Sequence, residues 1–132
     1  MPAMISAIQQ GGSDSNQTIT KQVETVIATT PPLQQDGGGR AVFLLGSCQT
    51  AVDGSATTLK LRIRRTAVGG TLVGVAQGWV GTAGTMSGDQ LNCIECDTPG
   101  EFDGNVYVLT ILDIAAAANF VVASARLLMI CI

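Results

Sequence analysis

Histidine is absent from the 132 residues of this chain. That removes the side chain that most often shuttles protons and binds metals near neutral pH. Charge is scarce as well: Asp, Glu, Lys and Arg make up 13% of the sequence, against about 25% in a typical soluble domain. A surface so poor in charge is predicted to have protein on its other side. Seven basic and ten acidic residues leave a net charge of −3. That balance lacks the basic footprint of a nucleic-acid binder, so no nucleic-acid partner is expected. The aromatic side chains are one Trp, one Tyr and three Phe, too few for a base-stacking platform. A membrane-spanning run is missing too. The most apolar stretch, residues 119–132, is interrupted by Arg126 and is too short and too rich in β-formers to cross a bilayer. The opening MPAMISAIQQGGSDSN has neither the basic n-region nor the apolar run of a secretory signal. The chain is therefore expected to be made in a cytosol, with Cys48, Cys93, Cys96 and Cys131 as free thiols.

What is present suits a β-protein. Hydrophobic residues reach 46%, enough for a core, and there are 16 glycines. The length fits one domain. Residues 1–20 are small and polar with no clear period and are predicted to be an N-terminal arm. Residues 21–132 are predicted to be a sandwich. Its strands fall at 21–29, with Val23, Thr25 and Ile27 on one face, then at 40–49, 57–65, 71–80, 82–96, 105–112 and 119–132. TTLKLRIRR alternates cleanly, with Leu59, Leu61 and Ile63 facing in and Lys60, Arg62 and Arg64 facing out. Gly46 marks a bulge or a close approach within RAVFLLGSCQ. Asp53-Gly54, Gly69-Gly70 and Asp103-Gly104 supply turns. About seven or eight short strands with glycine-rich turns predict an all-β antiparallel sandwich. A jelly roll is the leading topology and an immunoglobulin-like sandwich the alternative.

The C-terminal segment NFVVASARLLMICI organises this reading. A strand with one wet face alternates apolar and polar residues. Here both alternating sets become apolar towards the end. One side faces the chain's own core. The other is covered by a second copy, or by a loop or arm of the same subunit. Leu127, Leu128, Met129, Ile130 and Ile132 are accordingly predicted at an oligomer interface.

Candidate chemistry is thin. Cys93-Ile94-Glu95-Cys96 is a C-x-x-C, but on a strand its two cysteines face opposite ways. Neither a dithiol nor a zinc site is expected from them. Ser47-Cys48 lacks both a G-x-S-x-G frame and a histidine base. Asp97, Glu101 and Asp103 cluster at a turn; they are turn formers or, alternatively, oxygen ligands for calcium. No catalytic residue, cofactor or metal is assigned. The Lys60/Arg62/Arg64 stripe, with Arg65 beside it, is the clearest surface feature. It is either a solvated strand face or a docking surface for an acidic partner.

Several features together give the chain a likeness to a known group. They are the polar N-terminal segment, the strands RAVFLLGSCQ and TTLKLRIRR, the D-T-P-G corner before NVYVLTIL, and the apolar C-terminal strand. The chain resembles capsid decoration (cement) proteins of tailed bacteriophages, in general style over residues 21–132 rather than in a fixed motif. That resemblance implies a non-enzymatic jelly-roll virion protein on the capsid surface. It also implies a homotrimer, and an arm that reaches onto the major capsid protein or a neighbouring copy. Met4, Ile5 and Ile8 would anchor such an arm, and Lys60, Arg62 and Arg64 would assist docking. The alternatives are a tail or fibre component that binds a receptor or carbohydrate, which needs aromatics such as Trp79, Phe102 or Tyr107 around a pocket, and a metal-dependent or redox enzyme.

Overall fold

A computed structural model describes residues 7–32, 41–50, 58–80, 90–98, 106–113 and 119–131. Nine strands form within them: β1 (Ala7–Ser13), β2 (Gln17–Ile19), β3 (Thr25–Thr29), β4 (Val42–Thr50), β5 (Thr58–Arg65), β6 (Leu72–Val80), β7 (Gln90–Asp97), β8 (Tyr107–Asp113) and β9 (Phe120–Cys131). The first sheet has the order β1-β9-β4-β7, with β2 also on β9. The second has the order β3-β8-β5-β6. All pairings are antiparallel.

Both β1 and β2 lie along the same flank of β9 and count as one strand position, leaving eight. Every connection crosses between sheets except β1–β2 and β5–β6. That is a jelly roll. The immunoglobulin-like alternative does not apply, because it keeps strand pairs such as A–B and D–E within one sheet.

The division drawn at residue 20 is not a break in the fold. Residues 7–13 and 17–19 of the predicted arm are strands of the first sheet, paired with β9 from Ala7↔Cys131 to Ile19↔Phe120. Ile19 is fully buried. A polar, glycine-rich segment is ordered here because β9 offers it a complete row of backbone partners.

Two buried faces make the core. Leu44, Leu91, Leu127 and Met129 come from the first sheet, and Leu59, Leu61, Ile63, Leu109 and Ile111 from the second. Each such side chain contributes roughly 1.5–3 kcal/mol relative to exposure. The predicted alternation of β5 is observed, with Leu59, Leu61 and Ile63 fully buried. β3 differs from its prediction: Val23 precedes the strand and is exposed, and a register shift between Val26 and Ala28 buries both Ile27 and Ala28.

Two glycines let the layers close. A Cβ on Gly46 would stand 2.8 Å from Leu109 Cδ1 across the core, so Gly46 is a close approach. A Cβ on Gly11 would stand 1.7 Å from the Thr29 carbonyl oxygen. There the obstacle is backbone of the other sheet and cannot rotate away. Gly11→Ala is expected to destabilise the protein by about 2–3 kcal/mol. Gly78→Ala meets only the Lys60 side chain, at 3.6 Å, and should change stability by less than about 0.5 kcal/mol. Urea unfolding of the two variants side by side checks this pair.

Candidate functional surfaces

Asp97 ends β7 and points inward, where it ties the two sheets together. Arg65, at the end of β5, donates from Nε to Oδ2 (2.7 Å) and from Nη2 to Oδ1 (2.6 Å). The Tyr107 hydroxyl, from β8, donates to Oδ2 at 2.7 Å, and the Thr98 N–H donates to Oδ1 at 3.0 Å. Burial alone would raise the Asp97 carboxyl. The hydrogen bonds from Arg65 and Tyr107 and the Arg65 charge outweigh it and hold the pKa below the usual carboxylate range. Asp97 is thus engaged in a clamp between sheets. Glu101 and Asp103, its companions in the calcium alternative, lie outside the described residues.

The basic stripe is also engaged. On the outer face of the second sheet, Glu24 accepts from Arg62 Nη1 at 2.6 Å and from Arg64 Nε at 2.7 Å. Arg64 Nη1 further donates to the Gly70 carbonyl at 2.9 Å. Burial pushes the Glu24 carboxyl up, but the Arg64 hydrogen bond and the two guanidinium charges bring it below its ordinary value. Glu24 therefore offsets one of the three positive charges that suggested a docking stripe and ties Arg62 and Arg64 to their own subunit. Sequence reasoning missed Glu24 because it lies just before β3, far from β5 in the chain, and only the β3-β8-β5 order brings the two near.

The cysteines divide by face. Cys93 is buried and Cys96 exposed, the opposite orientations that strand geometry requires three residues apart. Burial pushes the Cys48 thiol up to about 12. Burial and the neighbouring Glu95 charge push Cys93 up to about 11. Both are protonated at neutral pH and poor nucleophiles. Tyr107 is fully buried and bonded to Asp97, so it lines no open pocket, and Phe102 lies outside the described residues.

The five predicted interface residues separate. Leu127 and Met129 are fully buried and belong to the subunit's own core, so these two side chains do not face a neighbour. Leu128 and Ile130 project from the opposite side of β9 and are half-buried. Ile132 lies outside the described residues, as do Met4 and Ile5. Ile8 sits in β1 opposite Ile130 in register.

Leu128 and Ile130 have company that the sequence did not reveal. Across the first sheet, Ile130 aligns with Phe43 of β4 and Cys96 of β7. Leu128 aligns with Leu45 and Ile94. Residues aligned in register share a face. Phe43 and Leu45 are each 38% exposed and Ile94 is 67% exposed. Two adjacent rows across three strands thus place apolar side chains and a thiol on the outside of the sheet. A third row, Arg126, Ser47 and Asn92, borders them, and Arg126 is ion-paired with Asp14.

No family model matches the chain, and no curated protein sequence matches it. Solved structures do. An Eiger TNF structure from S. frugiperda superposes with a TM-score of 0.57 at 9% identity, covering 98% of this chain and 94% of that one. The PRD1 vertex protein P5 gives 0.55 at 9% identity, covering 98% of each chain. The VP2 subviral particle of infectious bursal disease virus gives 0.55 at 12% identity; all of this chain aligns, with 37% of that one. At these identities the likeness is one of fold, and it places the chain among jelly-roll proteins.

Proposed function

We propose that this chain is a non-enzymatic structural protein of a virion: a capsid decoration (cement) protein that binds the assembled head and stabilises it as an oligomer, with a homotrimer as the expected state. The observation that carries this reading is the apolar, nearly uncharged outer face of the first sheet, borne on a jelly roll. The largest contiguous apolar patch on a protein's surface, of a few hundred Å², is often a site of interaction. The similar folds of the PRD1 vertex protein and the infectious bursal disease virus VP2 particle support it. A protein that binds only the assembled shell stabilises it by mass action, and repetition over many copies multiplies each contact.

The test compares particles assembled with and without this chain. Particles lacking it should form but lose their integrity at lower temperature, and adding the purified protein back should restore them. Purified particles that do not contain the chain, or whose thermal integrity ignores it, would refute the reading. Binding of a glycan, with no binding to the shell, would transfer the protein to the tail or fibre alternative.

A further inference from the structure

We infer that the outer face of the first sheet is where copies of this chain meet, with Phe43, Leu45, Ile94, Leu128 and Ile130 facing the axis of the oligomer. The inference deepens the proposed function and rests on its premise that the protein acts as an oligomer.

Charge argues for a second copy as the occupant. Each chain carries a net −3, so two copies repel unless they meet where charge is absent or balanced. The two outer faces differ in this respect. The second sheet carries Lys60, Arg62 and Arg64 against Glu24. The first presents Phe43, Leu45, Ile94 and Cys96 with uncharged Ser47 and Asn92, and its Arg126 is balanced by Asp14. Glu95 and Asp97 of the same strand point the other way, aligned with buried Leu44 and Val42. Among the described residues this face carries no net charge and offers a charged partner no attraction, whereas another copy brought to the same axis meets it with no repulsion and equal apolarity.

Area argues the same way. Four strands spaced about 4.8 Å apart, with a rise of about 3.4 Å per residue along them, give a sheet roughly 19 Å wide. Over the 8 residues of β7 it is about 27 Å long, or roughly 500 Å² in plan before side-chain relief is added. With that relief it approaches the roughly 800 Å² per partner of a standard interface. The apolar rows lie on β9, β4 and β7, running from the interior of this sheet to its β7 edge.

Leu45→Glu and Ile94→Glu test this, with Lys60→Glu on the other sheet as the control. The readouts are solution mass by light scattering across a concentration series, far-UV circular dichroism, and maleimide labelling located at Cys96 by peptide mapping. The wild type should be oligomeric at micromolar concentration, with Cys96 protected as concentration rises. Each glutamate variant should keep the wild-type dichroism, weaken association by at least about thirtyfold and leave Cys96 open to label. Lys60→Glu should associate like the wild type. Glutamate variants that retain the wild-type mass and protection would overturn the inference, even if the protein still stabilises shells. A monomeric wild type whose glutamate variants no longer bind shells would also overturn it, assigning the face to another virion protein and leaving the proposed function standing. Shells indifferent to wild type and variants alike would defeat the proposed function separately, whatever the solution mass.

Discussion

Asp97→Ala is expected to lower the stability of the protein by about 3 kcal/mol, a fall in melting temperature of about 10 °C for a domain of this size. The carboxylate takes three side-chain hydrogen bonds from two strands of the opposite sheet, two from Arg65 on β5 and one from Tyr107 on β8. Removing it leaves the Arg65 charge without its ion-pair partner and takes an acceptor from a fully buried phenol. Breaking a buried pair costs about 3–5 kcal/mol, but Arg65 keeps 34% of its side-chain exposure and recovers some hydration, so the lower end applies. Tyr107→Phe removes one donor and leaves the ion pair, and should cost about 1–1.5 kcal/mol. Urea midpoints that reverse this order would show that the clamp adds little.

The clamp also gives the stability a pH dependence of definite sign. The Asp97 and Glu24 carboxyls are both held below their unfolded values. Their contribution is therefore fully present above the unfolded carboxylate pKa of about 4 and is lost as pH falls through the lower folded values. In that window the unfolded state binds more protons than the native state, so stability rises with pH. The urea midpoint should be nearly flat from pH 7 to about 5 and should drop below about 4.5. Asp97→Asn should be less stable at pH 7 and should show a shallower acid limb, because one of the two shifted groups is gone. An unchanged limb would place the acid sensitivity elsewhere.

How far the sequence could be read depended on whether the deciding contacts were local. β5 was legible because Leu59, Leu61 and Ile63 alternate with charged residues, and the register shift against β6 between Leu61 and Ile63 leaves that alternation intact. β1 was not, because AIQQGGS has no pattern of its own; its order comes from pairing with β9 at the far end of the chain. The outer apolar face was half legible. Phe43 and Leu45 flank buried Leu44, the same two-sided apolarity that singled out the C-terminal strand. What no local pattern could supply was the register that sets Leu45 beside Leu128 and Ile94. The engagement of Arg62 and Arg64 by Glu24 was hidden for the same reason.

The sharpest consequence of such a non-local feature lies in β9, where Leu127→Ala and Leu128→Ala should behave as different kinds of change. Strict alternation from Phe120 would put Leu128 on the same side as Phe120 and Val122. Instead the register against β4 shifts between Gln49↔Ser124 and Thr50↔Val122. That bulge exchanges the two alternating sets. Phe120 and Val122 face the core before it, and Ala125, Leu127 and Met129 face it afterwards. Leu127→Ala therefore opens a cavity between the sheets and should cost about 3–4 kcal/mol. Because the loss is internal to the subunit, its size should not depend on protein concentration. Leu128→Ala should cost less than about 1 kcal/mol in dilute solution, where the fold alone is measured. Under the proposed contact between copies, its deficit should grow as protein concentration rises, since an associating wild type gains stability by mass action and the variant gains less. Thermal melts of both variants over a hundredfold range of concentration separate the two behaviours. Equal, concentration-independent losses would place both leucines in the core and contradict the bulge. A Leu128→Ala deficit that stays small at every concentration would remove that residue from any contact between copies.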